Sequence, residues 1–238
     1  VMAARSSSLL KSIEEEIKQD GGIAHSVACD VSQMADLKRL VSDTIDQFGR
    51  IDGLVNNAGV NYVKPIHEIT EEDWDWVMSV DLKGAFFLTQ LCSNQMRTQD
   101  PKGGSIVQIA SVHTTASVIG ACPYDAAKCG MVGFSKAAAV ELAKDSIRVN
   151  ILSPGLCRTK ILENLMEAAP DKEACWNYWK SNIPGGRLIE PEEIGSACLF
   201  LLSDMSSSMT GSNIMADLGM TSLLVSEEPY QSEDIVGK

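Results

Sequence analysis

The chain has 238 residues, 45% of them apolar and 5% aromatic, a composition that suits one α/β domain around a single core. Its formal net charge of −12 repels phosphate backbones and anionic headgroups, which sets aside a nucleic-acid or membrane-surface partner. Seven cysteines without a C-x-x-C spacing read as reduced thiols, and three isolated histidines offer no ligand set for a metal.

The opening "VMAAR" reads as a short strand, followed by serines able to cap a helix through "LLKSIEEEIKQ", which Gly21 and Gly22 stop. "IAHSVAC" alternates as a strand does and ends at Asp30, after which Ser32 is expected to cap a helix whose apolar stripe includes Leu37, Leu40, Val41 and Ile45. Gly49 closes that helix. "IDGLV" is a short buried strand broken by "NNAG". "TEEDW" carries Thr70 and Asp73 at capping-box spacing and starts a long helix to about residue 97. "GSIVQIA" is a strand, residues 123–144 form an Ala-rich helix, and "IRVNIL" is a strand ending in "SPG". A helix after Pro191 and a strand in "GSNIMADLG" complete the order.

Strands alternating with long helices predict parallel pairing through βαβ crossovers, hence a doubly wound α/β sheet with helices on both faces. Ligands of such sheets gather beyond the carboxyl ends of the strands, where Arg5, Asp30, "NNAG", Ser111 and "PG" all fall. Residues 1–225 read as one domain and 226–238 as an acidic surface tail. The longest apolar runs, such as "ACLFLL", are too short to span a bilayer, and no signal-peptide pattern opens the chain, so a soluble, cytoplasmic protein is expected.

Within the Ala-rich helix, Tyr124 and Lys128 stand one turn apart on the same face. An ammonium close to a phenol favours phenolate and lowers the tyrosine pKa from near 10, which suits the proton exchange of an alcohol/carbonyl pair. Taken alone, the pair reads equally as a core tyrosine beside a snorkelling lysine. Ser111, at the end of "SIVQIA", could hydrogen-bond the same substrate oxygen. His113, two residues on, either lines a pocket or sits exposed in a loop.

Seven segments, in order, carry a family resemblance: "CDVS", "DGLVNNAG", "GSIVQIAS", "YDAAK", "IRVNILSPG", "IPGGRLIEPEEIG" and "ADLG". Together they resemble the classical short-chain dehydrogenases/reductases over nearly the whole chain. The resemblance implies a Rossmann-type fold and a nicotinamide-dependent oxidoreductase acting on a small carbonyl or alcohol. It makes Tyr124 the proton donor or acceptor, Lys128 the holder of the nicotinamide ribose, and Ser111 the residue that orients the substrate. By the same likeness, Asp30 and Val31 lie by the adenine, Asn56, Ala58 and Gly59 along the cofactor, and Pro154, Gly155 and Thr159 near the nicotinamide amide. Arg5, just after the position where an acid would select NAD(H), favours NADP(H) through its 2′-phosphate. A homo-dimer or homo-tetramer, associating through helices near 71–97 and 123–144, is implied as well.

Two departures stand out. The family's first strand and glycine-rich turn are not in the sequence, so about thirty to forty upstream residues are expected to precede Val1. Without them a cofactor-free scaffold of the same fold is the competing reading. Asp81 in "MSVDLKGAFF" occupies a position where the family usually has Asn, whose backbone carbonyl is thought to hold a relay water, and a carboxylate there could offset Lys128. A substrate loop is expected at 156–190, with Trp176, Tyr178 and Trp179 on a helix that either packs as a lid or touches substrate.

Overall fold

A computed structural model describes residues 1–224. Among the described residues six strands are present: β1 (Met2–Ala4), β2 (Ser26–Ala28), β3 (Gly53–Asn56), β4 (Gly104–Ile109), β5 (Ile147–Pro154) and β6 (Asn213–Ala216). Between them run eight α-helices: α1 (Ser7–Gln19), α2 (Met34–Phe48), α3 (Glu71–Met78), α4 (Ala85–Thr98), α5 (Cys122–Leu142), α6 (Lys160–Glu167), α7 (Lys172–Ser181) and α8 (Pro191–Leu202).

Every strand pair is parallel, in the order β3-β4-β5-β6, with β1 and β2 forming a separate two-stranded sheet. The single sheet expected from the alternation is therefore divided. A cavity of about 960 Å³ lies between the two parts, lined by Ala3 and Ala4 of β1 and by Gly53, Leu54 and Val55 of β3. Val55 remains 38% exposed there, so β3 presents an unpaired edge to the cavity.

Alternation along the strands fixes which layer each side chain joins. Ile106 and Val149 pack with Leu37 and Leu40 of α2, Leu88 and Met96 of α4, and Leu142 of α5. Val107 and Leu152 face the other way and pack with Leu201 of α8. Burying each such side chain stabilises the fold by about 2 kcal/mol. Helices thus cover both faces, as the βαβ alternation predicts.

Local signals set most helix ends. Thr70 accepts from the Asp73 backbone N–H at 3.2 Å while the Asp73 carboxylate accepts from the Thr70 N–H at 3.0 Å, the expected capping box. Gly49 takes φ 75° and closes α2 in the left-handed region. Ser32 does not cap α2. Its hydroxyl instead donates to the Asp30 carboxylate at 2.7 Å, and Gln33 takes the N-cap position without a side-chain bond. The predicted helix to residue 97 is interrupted by a π-helical turn, Ser79–Gly84, between α3 and α4. Gly84 permits this approach: a Cβ there would lie 2.6 Å from the Val31 carbonyl oxygen.

In the 156–190 segment, Trp176 and Trp179 pack beside Leu162, Met166, Ile183 and Leu188, whereas Tyr178 is 64% exposed. The packed-lid reading describes both tryptophans. The acidic tail predicted for 226–238 lies outside the described residues. No helix among the described residues is long and apolar enough to cross a membrane.

Candidate active site

Three elements bring the chemical groups together. β4 ends at Ile109 and delivers Ser111, whose backbone is extended (φ −168°) and whose hydroxyl accepts the His113 N–H at 3.2 Å. α5 supplies Tyr124 and Lys128 from successive turns, as their spacing predicts. The π-helical turn supplies Asp81.

Lys128 is buried, with its ammonium 5.4 Å from the centroid of the Tyr124 ring and donating to the Ile109 carbonyl at 3.1 Å. Its side chain therefore points along the face that carries the phenol, and the expected pairing of the two residues holds. Asp81 is fully buried. Its Oδ1 accepts the Val60 N–H at 2.7 Å, and its Oδ2 lies 3.4 Å from Lys128 Nζ without a hydrogen-bond partner.

This carboxylate changes the electrostatics expected from Tyr124 and Lys128 alone. Burial pushes the Tyr124 phenol above its ordinary 10.0; Ser111 pulls it back by a side-chain hydrogen bond, while Asp81 and Asp125 add to the rise. The simple expectation of a phenol made acidic by Lys128 is thus reversed in direction. Burial also lowers the Lys128 ammonium and raises the Asp81 carboxyl, each opposed by the other's charge. Both shifts disfavour charge in a dry site.

His113 is not the exposed loop residue that the sequence left open. It is partly buried, with Nδ1 2.5 Å from Asp125 Oδ1, and its ring meets the Tyr124 ring edge-on at 5.2 Å. Asp125 also accepts from the Ser117 hydroxyl. Asp125 and the Val60 N–H are two contributors that sequence reasoning missed. The spacing of Asp125 beside Tyr124 carried no signal, because its partner comes from a separate loop.

The remaining site residues fall into two groups. Arg5, Asp30, Val31, Asn56, Ala58 and Gly59 all line the cavity between the two sheets. Gly59 joins that cavity to α5: a Cβ there would lie 3.1 Å from Asp81 Oδ2 and 3.4 Å from Lys128 Nζ. Asn56 has a largely structural task, since its amide nitrogen donates to the Ala85 carbonyl, Thr89 Oγ1 and Gln108 Oε1 at 3.0–3.2 Å. The second group, Pro154 at the end of β5 with Gly155 and Thr159 after it, does not line this cavity. Gly155 is required by packing, because a Cβ would lie 2.9 Å from Asp217 Cα. Thr159 caps α6 through the Leu162 N–H at 3.4 Å. A smaller pocket of about 190 Å³, lined by Val112, Ala116, Asn182, Met220, Thr221, Leu223 and Leu224, lies next to Ser111 in the chain. Among the described residues no group of three His, Cys, Asp or Glu side chains is placed to hold a metal.

The family model described as enoyl-(acyl carrier protein) reductase matches residues 1–221. The 3-oxoacyl-[acyl-carrier-protein] reductase FabG of Thermotoga maritima is 38% identical over 211 residues, covering 89% of this chain and 82% of that protein. The chain belongs to the short-chain dehydrogenase/reductase family. Among solved structures, the actinorhodin polyketide ketoreductase with NADPH superposes with a TM-score of 0.87 at 28% identity, covering 93% of this chain and 87% of that one. A gluconate 5-dehydrogenase from Burkholderia cenocepacia J2315 in complex with NADP and tartrate superposes with a TM-score of 0.85 at 26% identity, covering 94% and 85%. This short-chain dehydrogenase/reductase is an oxidoreductase, and the doubly wound fold expected from its sequence is the fold of those neighbours.

Proposed function

We propose that the protein is an NADP(H)-dependent oxidoreductase that interconverts a carbonyl and an alcohol, with Tyr124 exchanging the proton at the substrate oxygen. The observation that carries this reading is the convergence of the Ser111 hydroxyl, the Tyr124 phenol and the buried Lys128 ammonium at the end of β4. A scaffold has no use for an ammonium kept dry beside a phenol, a placement that opposes ammonium charge.

The dinucleotide, when bound, supplies or takes up a hydride at the substrate carbon. In reduction Tyr124 gives its phenolic proton to the carbonyl oxygen; in oxidation the phenolate takes a proton from the alcohol. Ser111 holds the same oxygen by a hydrogen bond, and Lys128 holds the nicotinamide ribose. Asp30 and Val31 border the cavity between the sheets, Asn56 ends β3 with Ala58 and Gly59 just after it, and the exposed Arg5 offers a fork for a 2′-phosphate, which supports an adenosine half held along these strand ends. Pro154, Gly155 and Thr159 are assigned to the nicotinamide amide. The mainly apolar pocket beside Val112 supports a small or medium, largely apolar substrate. The names of the similar proteins, a 3-oxoacyl reductase, a ketoreductase and a gluconate dehydrogenase, support carbonyl/alcohol chemistry, and two of the titles carry NADP(H).

A homo-dimer or homo-tetramer through α4 and α5 completes the proposal, supported by Phe86 and Val140, which are 43% and 82% exposed on those helices. The chemistry is tested by following loss of NADPH absorbance with a panel of ketones and aldehydes. Turnover with NADPH, at least about tenfold slower with NADH, is expected. Failure to bind either dinucleotide would return the cofactor-free scaffold.

A further inference from the structure

Asp81 is a carboxylate buried to zero exposure, and its Oδ2 has no hydrogen-bond donor aimed at it except the ammonium 3.4 Å away. Its other oxygen is fixed by the Val60 N–H, so the group cannot swing away without breaking that bond. Gly59 packs against the same pair: a Cβ there would lie 3.1 Å from Asp81 Oδ2 and 3.4 Å from Lys128 Nζ, so a larger residue would have to push them aside. The carboxylate and the ammonium form a built, dry unit one side of the Tyr124 ring.

A buried carboxylate and ammonium at this distance are neutral together when they carry one titrating proton between them. Whether it rests on Lys128, giving an ion pair, or on Asp81, giving an acid beside an amine, the net charge is zero. An uncharged amide at position 81 would instead leave Lys128 as an uncompensated cation 5.4 Å from the ring. The other titratable groups facing the phenol are Asp125 on its own helix and His113, which meets the ring edge-on and is itself held by Asp125. Neither supplies an unopposed positive charge.

We infer that Asp81 is a positioning residue that offsets the charge of Lys128 and so keeps Tyr124 a protonated phenol, setting the site for carbonyl reduction in preference to alcohol oxidation near neutral pH. The inference rests on the oxidoreductase reading for its consequence, though its electrostatic content does not. A phenol is the form that donates a proton to a carbonyl oxygen, whereas oxidation needs the phenolate to accept one. The upward direction of the Tyr124 shift, with Asp81 among its causes, agrees with the geometry.

The test is a titration of the full chain by the near-ultraviolet absorbance of tyrosinate, with Tyr124→Phe subtracted to isolate Tyr124 from the other tyrosines. In the wild type, half-titration above the ordinary phenol value of 10.0 is expected, and Asp81→Asn lowers it by at least about one unit. The pH limb on which kcat/KM for ketone reduction declines moves down by the same amount. An unmoved or raised midpoint in Asp81→Asn overturns the inference, as does a wild-type midpoint below the ordinary phenol value of 10.0, a result that needs no Asp81 variant to fold. Absence of turnover in both proteins would sink the oxidoreductase reading and leave the titration to decide the charge question.

Discussion

Arg5 projects from the end of β1 into the rim of the cavity, where it shares the lining with Asp30 and Val31. A guanidinium can meet a phosphate with two parallel N–H donors, and such charge-assisted pairs are stronger than neutral ones. Arg5→Ala is therefore expected to weaken NADPH binding by about tenfold, measured by fluorescence titration, and to leave NADH binding nearly unchanged. Equal losses for both cofactors would assign Arg5 a structural role. At the same scale, Tyr124 shows how burial, with a buried carboxylate adding to it, turns an argument made from one helical turn. A helix turn alone puts an ammonium beside a phenol, but Asp81 arrives from a distant segment and the dry surroundings favour the neutral ring.

Among the elements, α8 is anchored by one side chain of β5. The Arg148 guanidinium donates to the carbonyls of Leu201, Leu202, Ser203 and Ser206 at 3.0–3.3 Å, satisfying the orphan end of the helix with a favourable charge at its negative pole. Arg148→Met keeps the apolar stem but strands these acceptors, and a loss of about 3 kcal/mol in urea unfolding is expected. A loss within about 0.5 kcal/mol would mean that water replaces the guanidinium without penalty. Elements set by local chemistry were legible in the sequence: the Thr70–Asp73 box, the Gly49 stop and the Tyr124–Lys128 face all depend on residues within one turn. Ser32 misled because its hydroxyl had a competitor, the Asp30 carboxylate, that capping patterns do not weigh. The π-helical turn at 79–84 was not legible, since it answers the close approach of Gly84 to Val31, a tertiary contact. The Asn56 network was hidden for the same reason: its acceptors come from α4 and β4.

At the scale of the whole molecule, the parallel alternation places Arg5, Asp30, Asn56, Ser111 and Pro154 at or just beyond the carboxyl ends of the strands, with the helix that carries Tyr124 and Lys128 starting on the same side. The fold class follows from periodicity, whereas the role of each lining residue depends on long-range approach. Gly59 links the cavity between the sheets to α5 by fitting against both Asp81 and Lys128. The account stands on proton transfer by the one phenol at that junction. Its most direct test is kcat for ketone reduction by Tyr124→Phe, with the NADPH dissociation constant measured on the same preparation. The account predicts a fall in kcat of at least about a hundredfold with the dissociation constant changed by less than about threefold. Full turnover by the phenylalanine variant would contradict it.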